Sequence, residues 1–179
     1  VLTGYSRPPE YRKFIVAPNG MREFFQRMIA KEVENAQKGL PCGITAKMNS
    51  LVDPELIQNL YRASQAGVPV KMAVRGICCL VPGLPGISEN ITIHSIVGQL
   101  LEHSRIYCFE NGGNPRIYMG SADWMPRNLD RRVELVFPVE GEELRARAFD
   151  ILDTIFSDNI NARIMQPDTS YLRVDRRGK

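Results

Sequence analysis

Three stretches of the chain place apolar side chains at helical spacing. Met21, Phe24, Phe25, Met28, Ile29 and Val33 form one stripe, predicting a core-facing helix with Asn19 as N-cap and Gly39 as stop. Leu56, Ile57, Leu60 and Tyr61 form a second, opened by Asp53-Pro54 and closed by Gly67. Leu144, Ala148, Ile151, Leu152 and Ile155 form a third over 142–156. Short apolar runs over 14–17, 42–48, 69–74, 91–96, 105–109, 116–120 and 133–139 read as strands. Strand, helix and strand within 42–74 indicate a parallel crossover unit. The turn at 110–115 joins two strands as a hairpin. Residues 97–102 read as a short helix.

Two stretches break the pattern. Pro82, Gly83, Pro85 and Gly86 make 76–90 a long loop, and long ordered loops tend to carry function. Residues 171–179, with Arg173, Arg176, Arg177 and Lys179, read as a solvated basic tail. The polar, Pro-rich residues 1–18 read as a linker leading into one domain over 19–170. The absence of an initiator Met suggests a piece of a longer protein. The expected fold class is an α/β sandwich, a mixed β-sheet with helices on both faces.

Composition narrows the function classes. The 179 residues are 44% hydrophobic and 24% charged, an ordinary soluble make-up for one domain. No apolar run is long enough to cross a bilayer. The formal net charge of +3 permits an anionic ligand but does not argue for nucleic acid. Cys42, Cys78, Cys79 and Cys108 show no metal-ligand or C-x-x-C spacing. Cys78 and Cys79 read as buried thiols, and the expected compartment is the cytoplasm.

The two histidines differ in context. His94 lies inside an extended apolar run and reads as a structural strand histidine. His103 lies at a junction between a helix end and a strand, where α/β folds build sites. Arg105 follows two places on, then Gly120-Ser121-Ala122-Asp123, then Arg131, Arg132 and Glu134. This order resembles the phospholipase D superfamily, whose half-site is H-x-K, then G-S-x-N, then a strand carrying Glu. Arg105 stands in place of the Lys and Asp123 in place of the Asn, which argues against an ordinary phosphodiesterase.

A second resemblance spans nearly the whole chain. Thr3-Gly-Tyr-Ser6, Ala46-Lys-Met-Asn-Ser-Leu-Val-Asp53, Val74-Arg-Gly-Ile-Cys-Cys-Leu80, Pro82-Gly-Leu-Pro-Gly-Ile-Ser-Glu-Asn90, Leu101-Glu-His-Ser-Arg-Ile106 and the run 121–134 follow one another in order. Together they resemble the C-terminal, phospholipase D-like domain of the large, histidine-phosphorylating polyphosphate kinases.

That resemblance implies reversible transfer of the terminal phosphoryl group of ATP to inorganic polyphosphate, with ADP as product. It implies a phosphohistidine in a preceding domain absent from this chain, so this chain alone would be inactive. It implies His103 as the second active-site histidine and Arg75 as a ligand of the nucleotide phosphates. The residues themselves suit such roles, because phosphoryl transfer needs several cations around the equatorial oxygens. Arg75 ends a strand just before the loop, where its fork can enter a cleft; the bland alternative is a surface salt bridge.

Lys47, Asn49, Arg105 and Ser121 are further phosphate-channel candidates. Arg131 and Arg132 are candidates of which strand alternation would turn one inward. Asp123 and Glu134 either orient these cations or are ordinary structural carboxylates. Magnesium is expected with ATP, its ligands mainly outside this chain. Expected partners are ATP or ADP, polyphosphate, the remaining domains of the polypeptide and further copies in a homo-oligomer, with no nucleic acid. The expected location is cytoplasmic, with peripheral association to the inner membrane left open. Two rivals remain: a phosphodiesterase or nuclease of phospholipase D type, and a noncatalytic polyanion-binding module.

Overall fold

A computed structural model describes residues 11–174. The unit at its centre is strand β2 (Ile44–Met48), helix α2 (Pro54–Gln65) and strand β3 (Val70–Val74), with β2 and β3 parallel as expected of a crossover. Asp53 caps α2 by accepting from the Leu56 amide at 3.0 Å, and Pro54 takes the first helical position, where no N–H is needed. Gly67, at φ +88°, lets the chain leave the helix in the left-handed region.

Strand β4 (Ile91–Ser95) extends the parallel set beside β3. On the other side β2 pairs antiparallel with β5 (Ile106–Phe109), which continues into β6 (Arg116–Gly120), β7 (Glu134–Pro138) and β1 (Ile15–Ala17). Beyond β4 lie β8 (Arg163–Met165) and β9 (Tyr171–Arg173), both antiparallel. The full order is β1-β7-β6-β5-β2-β3-β4-β8-β9.

Helix α1 (Met21–Gln37) and α2 cover one face, and α4 (Glu142–Ser157) covers the other. The larger core packs Met21, Phe25 and Ile29 of α1 and Leu56 and Leu60 of α2 on the central strands. The smaller core joins Ala148 and Leu152 of α4 to Ile106, Cys108 and Ile117. Because both faces are covered, β5 is buried throughout, and its apolar run does not alternate.

Four expectations need correction. Residues 97–102 form no helix; they are irregular, with Gly98 at their centre and exposed apolar side chains that no neighbouring layer covers. Gly20, not Asn19, caps α1. Residues 171–173 are the edge strand β9 and not a tail, because β8 offers them an open ladder; 175–179 lie outside the described residues, as does the first part of the expected linker. Cys79 is exposed, whereas Cys108 is buried; all four cysteines are free thiols. A short helix α3 (Pro126–Asp130) gave no periodic signal, since one turn cannot show a stripe.

Candidate active site

Parallel pairing brings the ends of β2 and β3 level, with Met48 opposite Val74. The next residues, Asn49 and Arg75, therefore emerge side by side. Arg75 Nε donates to Asn49 Oδ1 at 2.9 Å. The Gly76 amide donates to the Asn49 carbonyl at 2.7 Å. A Cβ on residue 76 would stand 2.8 Å from that carbonyl oxygen, so glycine is what permits the approach. Leu51 and Cys79 continue the lacing, through Leu51 N to Ile77 O and Cys79 N to Leu51 O, both 2.8 Å.

Asp123, in the β6–α3 connection, is the hub. Its Oδ1 accepts from the Asn49 amide at 2.8 Å, Asn49 Nδ2 at 3.3 Å and Arg105 Nε at 3.2 Å, while Oδ2 accepts from Arg105 Nη2 at 3.1 Å. The carboxylate is buried and doubly bonded to one guanidinium, the fork geometry that favours arginine over lysine. Its own amide donates to Asn128 Oδ1 at 2.9 Å, so α3 holds the loop. Beneath it, Trp124 stacks on Tyr107 with centroids 5.5 Å apart, and the Tyr107 hydroxyl donates to the Ala122 carbonyl. The site thus rests on the larger core.

Arg105 extends the network to His103. Its Nη1 donates to the His103 carbonyl at 2.9 Å and lies 3.1 Å from His103 Nδ1. A guanidinium has donors only, so Nδ1 must accept. A neutral His103 ring therefore carries its proton on Nε2. The exposed ring offers a hydrogen-bond donor and no lone pair at that nitrogen.

Lys47 holds the same loop from the other side. Its Nζ donates to the Ser104 carbonyl at 2.7 Å, the Glu102 carbonyl at 3.2 Å and Glu102 Oε1 at 3.2 Å. Burial pushes the Lys47 ammonium below its ordinary pKa, against the attraction of Glu102. The Ser104 hydroxyl and amide, with help from Lys47, bring Glu102 down to about 2. Lys47, Arg75, Val97, Leu100, Leu101 and Glu102 are among the walls of a cavity of about 390 Å³.

The structure thus brings together Lys47, Asn49, Arg75, His103, Arg105 and Asp123. Ser121 is held apart: its hydroxyl donates to Glu134 and accepts from the Leu135 amide, so it is tied to β7. Glu134 orients Ser121, and among the described residues Arg132 Nη1, at 4.0 Å, is the cation that approaches it. Arg131 and Arg132 are both exposed, because they lie in the turn before β7, where strand alternation does not apply. His94 is buried on β4, edge-on to Phe156 at 5.2 Å, and desolvation lowers its pKa. Glu102 and Ser104 were not singled out from the sequence; the signal available was a carboxylate immediately preceding His103.

Fold and site define a phospholipase D-like α/β domain. Its likeness in fold extends to Nuc, a phospholipase D family member from Salmonella typhimurium, with a TM-score of 0.62 over 86% of this chain and 97% of that one, at 15% identity. The model of the polyphosphate kinase C-terminal domain 2 matches residues 14–179, and the chain belongs to that family. It is 51% identical over 99% of its length to a polyphosphate kinase of Lactiplantibacillus plantarum, covering 25% of that protein. It is 47% identical over 95% of its length to a polyphosphate kinase of Escherichia coli, again covering 25%. The crystal structure of the polyphosphate kinase of Porphyromonas gingivalis matches with a TM-score of 0.94 at 40% identity, over 99% of this chain and 27% of that one. The chain spans about a quarter of the length of these relatives.

Proposed function

We propose that this chain supplies the phosphate-gripping half of an active site that moves the terminal phosphoryl group of ATP to inorganic polyphosphate, reversibly. The observation that carries the reading is the bonded series Arg75–Asn49–Asp123–Arg105–His103 at one sheet edge, in a chain whose relatives are polyphosphate kinases. The family match disfavours the phosphodiesterase alternative.

In this reading Arg75, preset by Asn49, grips the nucleotide phosphates. The adjoining cavity, whose walls include Lys47, has the size of a small-ligand site, which typically starts at about 300 Å³. His103 donates from Nε2 to an oxygen of the moving phosphoryl group. With Nδ1 occupied it is not the nucleophile, and losing the Nε2 proton would leave an imidazolate. Attack on phosphorus therefore falls to a histidine on another domain of the polypeptide. Among the described residues no group of three or more His, Cys, Asp or Glu side chains converges, and magnesium that accompanies a nucleotide needs only one or two carboxylates beside the phosphates and water. Magnesium is expected to arrive with ATP, its protein ligands mainly outside this chain.

Among the described residues no helix is long and apolar enough to cross a membrane. Cytoplasmic residence and assembly of the full-length enzyme into oligomers belong to the same reading. The test is turnover of the full-length protein with ATP and polyphosphate. Arg75→Ala should lose charge-assisted bonds worth about 1.5–3 kcal/mol each, and Arg75→Lys should recover only part. Wild-type kinetics in Arg75→Lys would show that a bidentate grip is not used.

A further inference from the structure

The sheet edge that carries Arg105, Lys47 and Arg75 continues past them. β4 ends at Ser95, whose register partner is Arg163 at the start of β8, and Arg163 lies directly opposite Arg173 on β9. Like charges directly opposed across an antiparallel pair destabilise it. Among the described residues, neither guanidinium has a carboxylate within ion-pair distance. Both face a cavity of about 620 Å³ that Gly76, Ser95, Val97 and Tyr171 also line.

This cavity adjoins the one at Lys47 and Arg75. The two share Val97 and Asn161, and Gly76 directly follows Arg75. Strands lie roughly 4.8 Å apart, so from β3 to β9 the trough crosses three spacings, on the order of 14 Å. Two carboxylates lie at the near end. Glu102 is held by Lys47 and Ser104. Asp158 Oδ1 accepts from the Ile160 and Asn161 amides at 2.7 and 2.9 Å, which keeps that charge within its own turn. The far end holds two opposed cations, an arrangement that a multivalent anion would relieve. A nucleotide gripped at Arg75 leaves them unused, whereas a linear chain of phosphates can reach both places.

We propose that Arg163 and Arg173 form a polyphosphate subsite, the far end of a track that runs from Arg75 across β4 to β8 and β9. The subsite holds the chain several phosphates away from the phosphoryl group being transferred. It rests on the phosphotransferase reading above and adds to it a determinant of chain-length preference.

The experiment compares full-length wild type with the double variant Arg163→Gln, Arg173→Gln. Each is assayed with ATP and either long-chain polyphosphate or tripolyphosphate as acceptor, over a range of salt concentrations. The KM for long chains should rise about tenfold, while the KM for ATP and kcat on tripolyphosphate stay within about twofold. The salt dependence of the long-chain KM should become shallower, since two cation–phosphate contacts are gone. Without ligand the double variant should melt no lower than wild type, because the opposed charges are relieved. Long-chain polyphosphate should then raise the melting temperature of wild type more than that of the variant. An active variant with unchanged long-chain KM and salt slope overturns the subsite and leaves the phosphotransferase reading standing. An equal loss on both acceptors also overturns it. A wild type that transfers nothing from ATP to either acceptor sinks the underlying reading, and the subsite with it.

Discussion

The tautomer of His103 follows from one neighbour. Arg105 can only donate, so its contact at 3.1 Å fixes Nδ1 as acceptor and Nε2 as donor. Removing the ring in His103→Ala should cut full-length turnover about 10²–10³-fold, the usual effect of losing one preorganised donor to a transition state. His94→Ala should change turnover little, because His94 is buried on β4 against Phe156, away from the Asp123 network. Arg105→Ala should cost roughly 10–100-fold by freeing Nδ1, and Arg105→Lys should restore only part, since one ammonium cannot hold Asp123 and His103 as the fork does. Ring-nitrogen NMR separates this from a structural effect. The chain has only two histidines, so assignment is direct. A His103 ring that stays an Nε2–H tautomer without Arg105 would show that Arg105 does not set it. Label on His103 after brief exposure of the full-length protein to labelled ATP would assign it the nucleophile's role instead.

Two elements bear on how the site is held. A Cβ at Gly120 would collide with Leu135 O and stand 2.9 Å from Val136 Cα, both on the neighbouring strand. Gly120→Ala should therefore destabilise by the upper end of about 1–3 kcal/mol, read as a lower denaturant midpoint at unchanged slope. Lys47 behaves differently. Its lowered pKa means the buried charge is a net cost, which shrinks only at alkaline pH, where the ammonium deprotonates. Glu102 is lowered to about 2, so its contribution is present above the ordinary carboxylate range and fades as pH falls toward 2. Lys47→Met should leave the melting temperature unchanged or higher, as replacing buried charge with apolar volume often does, while turnover falls because the 102–104 loop loses its tether. A large drop in melting temperature would show the tether to be structural. These two cases also show what the sequence could reveal. Lys47 and Arg75 were legible as strand ends, because a β-α-β unit places strand ends at a cleft. That Glu102 holds Lys47 was not, since the contact spans 55 positions and runs through an irregular loop with no periodic signal. Strand β9 was hidden for a related reason: three exposed residues at a sheet edge look like a tail until their partner strand is known.

At the scale of the molecule, the described residues form one covered sheet, while in the proposed reading the chemistry is shared with another domain. The described residues hold nine strands in one sheet, two cores and helices on both faces, so the domain has what independent folding requires. Yet the chain spans about a quarter of its relatives, and the only histidine at the site is one whose geometry makes it a donor. Beside the site, Val97, Leu100 and Leu101 are 68%, 87% and 73% exposed, apolar surface that in the proposed reading would suit contact with another domain. The isolated 179-residue chain should therefore unfold cooperatively, with a stability in the usual range of about 5–15 kcal/mol, and make no polyphosphate from ATP. Denaturant unfolding followed by two probes checks the first half, since coincident transitions indicate a single cooperative unit. A turnover assay with a full-length control checks the second. Non-coincident transitions would mean that the chain does not unfold as one cooperative unit. Robust synthesis by the fragment would mean that the nucleophile lies within these 179 residues, and His103 would then have to be freed from Arg105 before it could attack phosphorus.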